Sequence, residues 1–356
     1  MALSLKPLVE LNDQHTLADY VTALAWSPVG NTLAVASGSG EVALLPNGLG
    51  IPLLPENGRS IDALAFSSQG EWLAAAGQAG EVMLWQIGDS EPQLVDTLEC
   101  APAWIDRLHW HPQKPWLAFN CGKVVQIWAA DRAEMLATLP LPAQGQDLGW
   151  SPDGQHLAVS AQQQVYFWAV PQWERPKYQW ELMATSLRLK WSPEGAYLAS
   201  ANQDNSVGVL AWSNAHRLRQ TPTDPADLPT LIQGFPGKVR QLAWADIPDA
   251  DKSPILAAAT RDLVVMGVLV PDEDWQSWLL DLHNGPVLDV AFQPETGLLA
   301  SLSQDSWIIL WKGAVEAAQI LEGVKGGFST LAWHPEGKHL AAGGQQGEVL
   351  VWSWCR

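Results

Sequence analysis

The chain has 356 residues, with 20 Lys and Arg against 38 Asp and Glu, a formal charge of -18, and 21 Trp beside 6 Phe and 4 Tyr. At 47% hydrophobic residues it buries enough apolar surface to offset the entropy of ordering, which excludes a disordered chain. The acidic balance argues against nucleic acid or an anionic membrane as partner, because both are bound by Lys and Arg that neutralise phosphate. The opening MALSLKPLVELND lacks a basic stretch followed by an apolar one, and nowhere do about 18 apolar residues run together, so no membrane insertion and a cytoplasmic location are expected. Cys100, Cys121 and Cys355, odd in number and scattered, are expected to form no disulfide framework.

In chain order, VTALAW opens a phrase that recurs to the C-terminus. An apolar alternation ends in an aromatic; then come a turn, Leu-Ala in a run of small residues, a polar turn and a second apolar run. The anchoring aromatics are Trp26, Phe66, Trp110, Trp150, Trp191, Trp244, Phe292 and Trp333. The turns after them read SPVG, SSQG, HPQK, SPDG, SPEG, an expanded ADIPDADKSP, QPETG and HPEG, in which Pro fixes φ and Gly supplies positive φ. Period-2 alternation in VTALAW, IDALAF, VRQLAW and VLDVAF marks strands. LAVAS, LAAAG and LASLS give second strands of small residues, and EVALL, EVMLW and EVLVW give third strands. Third strands end at Leu45, Trp85, Trp128, Trp168, Leu210 or Trp212, Val268, Trp311 and Trp352. Both faces of these strands are apolar, so each sheet requires cover on both sides, and no segment sustains a helical period.

About four strands per repeat, arranged radially, is a β-propeller. The chain resembles the WD40-repeat family over residues 5–354. Unit seven carries the resemblance best, with His283 before the anchor Phe292, Asp305 in the turn before the third strand, and Trp311 ending that strand. The resemblance implies that His283, Asp305, Trp311 and Ser301 or Ser303 form one hydrogen-bonded network inside a blade. The Asp position is Ala79 in unit two and Gln346 in unit eight, and Asp204 keeps it in unit five. The expected architecture is all-β: a single WD40-like propeller over residues 1–356, with eight four-stranded blades and seven as the alternative. KPLVELND is expected to add the fourth strand of the last blade, which removes an exposed sheet edge.

Twelve Trp belong to the repeat and are read as core. Among the others, Trp104, Trp173 and Trp275 are placed in connections, where exposed aromatics anchor protein interfaces. The loops that enter each first strand share one face with the turns between second and third strands. That face is expected to present Tyr20, Arg59, Trp104, Phe235, Lys238, His283 and Phe328. Three residues before each anchor, five successive units carry Arg107, Asp147, Arg188, Gln241 and Asp289, with Lys190 and His109 one residue before theirs. Alternating charge around a channel reads as ion pairs between blades, or as a site for a small anion or a partner's side chain. His109 and His111 alternate on one strand, near Cys100 and Cys121 in the same unit, but this spacing matches no zinc motif. No catalytic or cofactor motif occurs. The favoured function is a non-enzymatic scaffold, a monomeric ring that binds one or more proteins without a cofactor. The alternative is an accessory protein that handles a ligand or metal through the channel or the His109/His111 unit. The Pro-rich 213–230 segment and its basic His216–Arg219 stretch depart most from the repeat.

Overall fold

A computed structural model describes residues 7–30, 32–88, 91–219, 229–247, 253–270 and 275–355. It contains eight antiparallel sheets of four strands. Seven are continuous in sequence, spanning 21–54, 61–99, 108–140, 145–181, 186–232, 239–280 and 287–321. In the eighth, the strands from Phe328 to Trp354 are joined by Val9–Thr16, which pairs antiparallel with Glu348–Trp354 as the outermost strand. Successive innermost strands touch all the way round, and Val21–Trp26 of blade 1 meets Phe328–Trp333 of blade 8. The ring therefore has eight blades, not seven, and the N-terminal strand closes it.

The core lies in the seams between blades. Ala118, Val125 and Ile127 of blade 3, for example, pack with Leu148, Trp150 and Trp168 of blade 4. Second strands are covered on both faces and fully buried, as at Ala34, Val35 and Ala36. Small side chains at these positions let the wedge narrow toward the axis without a clash or a void.

The anchoring tryptophans do more than fill these seams. Each indole N–H donates across its seam to the carbonyl of the residue just before the previous blade's anchor. Trp110 donates to Ala65 at 3.0 Å, Trp150 to His109 at 3.1 Å and Trp191 to Gly149 at 3.2 Å. Trp244 donates to Lys190, Trp333 to Ala291, and Trp26 to Ala332 across the closing seam. Phe66 and Phe292, which have no N–H, stand at the other two seams. A Trp at this position thus joins apolar burial to a directional bond that fixes how one blade leans on the next.

The turns add a second set of links. His111 places Nε2 3.0 Å from the Gly154 carbonyl in the next blade's turn, while its Nδ1 accepts the N–H of Gln113 and Lys114. His334 repeats this against Gly30, and Gln293 donates to the Gly337 carbonyl at 2.7 Å. Gly154 has φ +69, and a Cβ there would lie 2.4 Å from the His111 ring, so only glycine fits.

Two expectations need correction. Cys100 and Cys121 do form a disulfide, with Cα atoms 5.7 Å apart. They belong to different units, because Cys100 follows the outer strand of blade 2 and Cys121 ends the second strand of blade 3. Scatter in sequence hid a proximity made by blade stacking. In unit five the third strand ends at Ala211, and Trp212–Arg219 turn into a 3-10 helix. Residues 220–228 of the Pro-rich segment and 248–252 of the expanded turn lie outside the described residues.

Candidate functional site

A cavity of 890 Å³ runs along the axis, lined by the innermost strands. Its wall includes Arg107, Asp147, Arg188, Gln241 and Asp289, with His109 and Lys190. One ion pair bridges blades there, Arg107 Nε to Asp147 Oδ1 at 3.2 Å. The rest of the expected alternation of ion pairs does not form. Each Asp instead ties its own blade to the next by accepting backbone N–H groups. Asp147 accepts from Leu148 at 3.0 Å and from Leu189 of blade 5 at 2.7 Å. Asp289 accepts from Val290 at 2.9 Å and from Leu331 of blade 8 at 3.1 Å, and Gln241 bonds to its carboxylate. Burial raises the Asp289 pKa despite these bonds, and burial with the nearby Arg107 charge lowers that of Arg188. His109 is also held low, first by desolvation, against the pull of Asp147 and with the push of Lys190 and Arg107.

His109 and His111 do not share one strand face as their alternation suggests. His109 faces the channel, whereas His111 lies beyond the end of its strand, buried, with both ring nitrogens committed in the turn. Both cysteines of that neighbourhood are in the disulfide. Among the described residues no three His, Cys, Asp or Glu side chains converge as metal ligands.

In blade 7 the four expected side chains form a directed chain. Trp311 Nε1–H donates to Ser301 Oγ at 2.8 Å, the Ser301 hydroxyl lies 2.8 Å from His283 Nε2, and His283 Nδ1 lies 3.0 Å from Asp305. Asp305 also accepts the N–H of Asn284 and Trp307, while Ser303 caps the neighbouring turn through Gly285. Burial lowers the His283 pKa even beside Asp305, so the ring is neutral, and it is enclosed rather than presented on the face.

The face candidates divide sharply. Trp104 is 50% exposed and Tyr20 39%, and Arg59 and Lys238 are exposed. Phe235 is half-buried against blade 6. Phe328 is fully buried in the seam between blades 7 and 8, because the period-2 phase of its strand turns it inward. Trp275 lies in a strand, not a connection, and packs on Trp244 with ring centres 6.1 Å apart. Trp173 follows a third strand, half-buried edge-on against Trp150. These three aromatics hold blades together.

Trp104 is exposed yet fixed. Its Nε1–H donates to Asp62 Oδ2 at 2.7 Å, and that carboxylate's other oxygen accepts the Ser60 hydroxyl. On one side Cys100 bonds to Cys121 and donates its N–H to Gly80; on the other, Ile105 is fully buried and bonded to Gly77. Neither Asp62 nor the disulfide was singled out from sequence, since each finds its partner only when blades 2 and 3 stack. Tyr20 sits over Gly38, where a Cβ would meet its ring at 2.2 Å.

Residues 6–44, 53–86, 276–312 and 317–353 match the family model of the WD domain, G-beta repeat. The chain is 30% identical to Periodic tryptophan protein 2 of Arabidopsis thaliana over 253 residues, covering 67% of this chain and 25% of that protein. It is 28% identical to the Protein SEC13 homolog of Drosophila melanogaster over 182 residues, 45% of this chain and 49% of that one. It therefore spans half or less of each of these relatives. Among solved structures, Sqt1 from Chaetomium thermophilum superposes with a TM-score of 0.80 at 16% identity, covering 98% of this chain and all of that one. A second Sqt1 structure, bound to the N-terminus of the ribosomal protein L10, superposes with a TM-score of 0.77 at 17% identity, covering 94% of this chain and 97% of that one. No helix among the described residues is long and apolar enough to cross a membrane. With four matched repeats and an eight-bladed ring, the chain is a WD40-repeat β-propeller.

Proposed function

We propose that the protein is a non-catalytic, monomeric cytoplasmic platform, and that the loop face around Trp104 binds a basic segment of a protein partner. One observation carries this reading: an exposed indole held rigid by a carboxylate, a disulfide and a buried neighbour. Rigid aromatics dominate binding energy because little side-chain freedom remains to be lost. An indole face backed by Asp62 suits a Lys or Arg side chain, through cation–π attraction and the nearby negative charge. The formal charge of -18 favours the same partner chemistry. The Sqt1 structure with the N-terminus of a ribosomal protein supports the reading as a precedent for the fold.

Parallel affinity capture with wild-type protein and Trp104→Ala tests it. The expected result is a stoichiometric protein retained by the wild type at low salt, eluted as salt rises, and lost from the variant. Equal recovery on both baits, or binding indifferent to salt, contradicts it.

A further inference from the structure

The channel wall carries three cations, Arg107, Arg188 and Lys190, and four carboxylates, Asp62, Asp106, Asp147 and Asp289, but the cations are not evenly paired with them. Arg107 is paired with Asp147 and with Asp106 Oδ2 at 3.4 Å. Asp106 also accepts from Asn120, and Asp147 and Asp289 each accept two backbone N–H groups, one from their own blade and one from the next. Among the described residues, Arg188 has no carboxylate within ion-pair distance, and its one side-chain hydrogen bond goes to the carbonyl of Leu187. Lys190, two residues along the same strand and water-accessible, has no side-chain partner among the described residues. Gly149, on the strand between those of Arg107 and Arg188, adds no side chain to the wall beside them. A guanidinium removed from bulk water with most of its N–H donors unused is costly unless an acceptor arrives.

We propose that the channel binds a compact phosphate-type oxyanion held by Arg188 and Lys190, with Arg107 and His109 at its edge. The cavity of 890 Å³ has room for inorganic phosphate or pyrophosphate with its water. The planar fork of Arg188 matches two phosphate oxygens, and the Lys190 ammonium adds a point charge. The cavity wall also includes Asp62, the acceptor behind Trp104, but the proposal does not depend on the partner reading. Bound anion relieves the repulsion between Arg107 and Arg188, so it stabilises the ring as a whole.

The probe is pyrophosphate, read by calorimetry and by the melting temperature, with sodium chloride at matched ionic strength as control. Saturable binding with a raised melting temperature is expected for the wild type and for Trp104→Ala. Arg188→Gln and Lys190→Gln each weaken it by about tenfold or more, the loss of one charge-assisted contact. Lys190 is exposed, so its variant retains the fold and decides the matter if Arg188→Gln does not fold. No binding at millimolar pyrophosphate, or equal affinity in wild type and Lys190→Gln, overturns the proposal. Binding by phosphate and pyrophosphate in the wild type, lost in both variants, supports it.

Discussion

At the scale of single residues, six of the 21 tryptophans are anchors whose indole N–H bonds cross blade seams, and Trp278 adds a further bond from blade 6 to the Ala314 carbonyl of blade 7. Trp150→Phe keeps an aromatic ring in the seam but removes the bond to the His109 carbonyl together with part of the indole's packing on His111 and Trp173. The expected cost is about 1–2 kcal/mol, the net bond plus an orphaned carbonyl, read from the urea midpoint at unchanged slope. A change near zero would show that packing alone fixes the seam. The recurrence of these Trp was legible in the sequence, and so was their burial, because both follow from period and phase. The target of each N–H was not, since it belongs to another repeat and exists only once blades stack. The same limit hid the contact between Cys100 and Cys121 and the Asp62 acceptor behind Trp104.

Single elements differ in how they are held. Blade 7 has the full chain from Trp311 through Ser301 and His283 to Asp305, so Ser301→Ala leaves two buried ring N–H or N groups unanswered. A loss of about 1–3 kcal/mol is expected, measured by denaturant unfolding against Ser303→Ala, which breaks only a turn cap. Equal losses would mean that the chain has no special weight. The N-terminal strand is the other exposed dependency: Val9 is 2% exposed, and Gln319 of blade 7 bonds to the backbone of Leu8 and Val9. Removing residues 7–16 uncovers the edge Glu348–Trp354, and the melting temperature of the whole ring is expected to fall. An unchanged melting temperature would contradict closure by this strand. Strands and turns were legible here because Gly, Pro and alternation mark them locally. The fate of Phe328 and Trp275 was not, because a residue at a strand end faces a loop or a seam according to register.

At the scale of the molecule, stability is linked to pH through imidazoles packed within the ring, of which His111 and His283 are buried. Desolvation is the leading cause that holds His109, His111, His156, His283 and His339 below their usual value near 6.5. Between those lowered values and about pH 6.5 the unfolded chain binds more protons than the folded one, so stability is complete above that range and falls as pH drops through it. Asp289, held high, works in the opposite sense at lower pH. The urea midpoint is expected to be lower at pH 5.5 than at pH 7.5, and equal midpoints would contradict desolvation of these rings in the folded state. The disulfide has an equally direct check, because unfolded, unreduced protein is expected to show one free thiol, Cys355, and not three. On the proposed reading, the rigid ring presents Trp104 as its point of contact. The most direct test is the partner affinity of Trp104→Ala beside its melting temperature, since the exposed indole contributes little to the core. Affinity is expected to fall by about 30-fold or more with the melting temperature nearly unchanged. Undiminished affinity, or a loss that merely tracks unfolding, would contradict it.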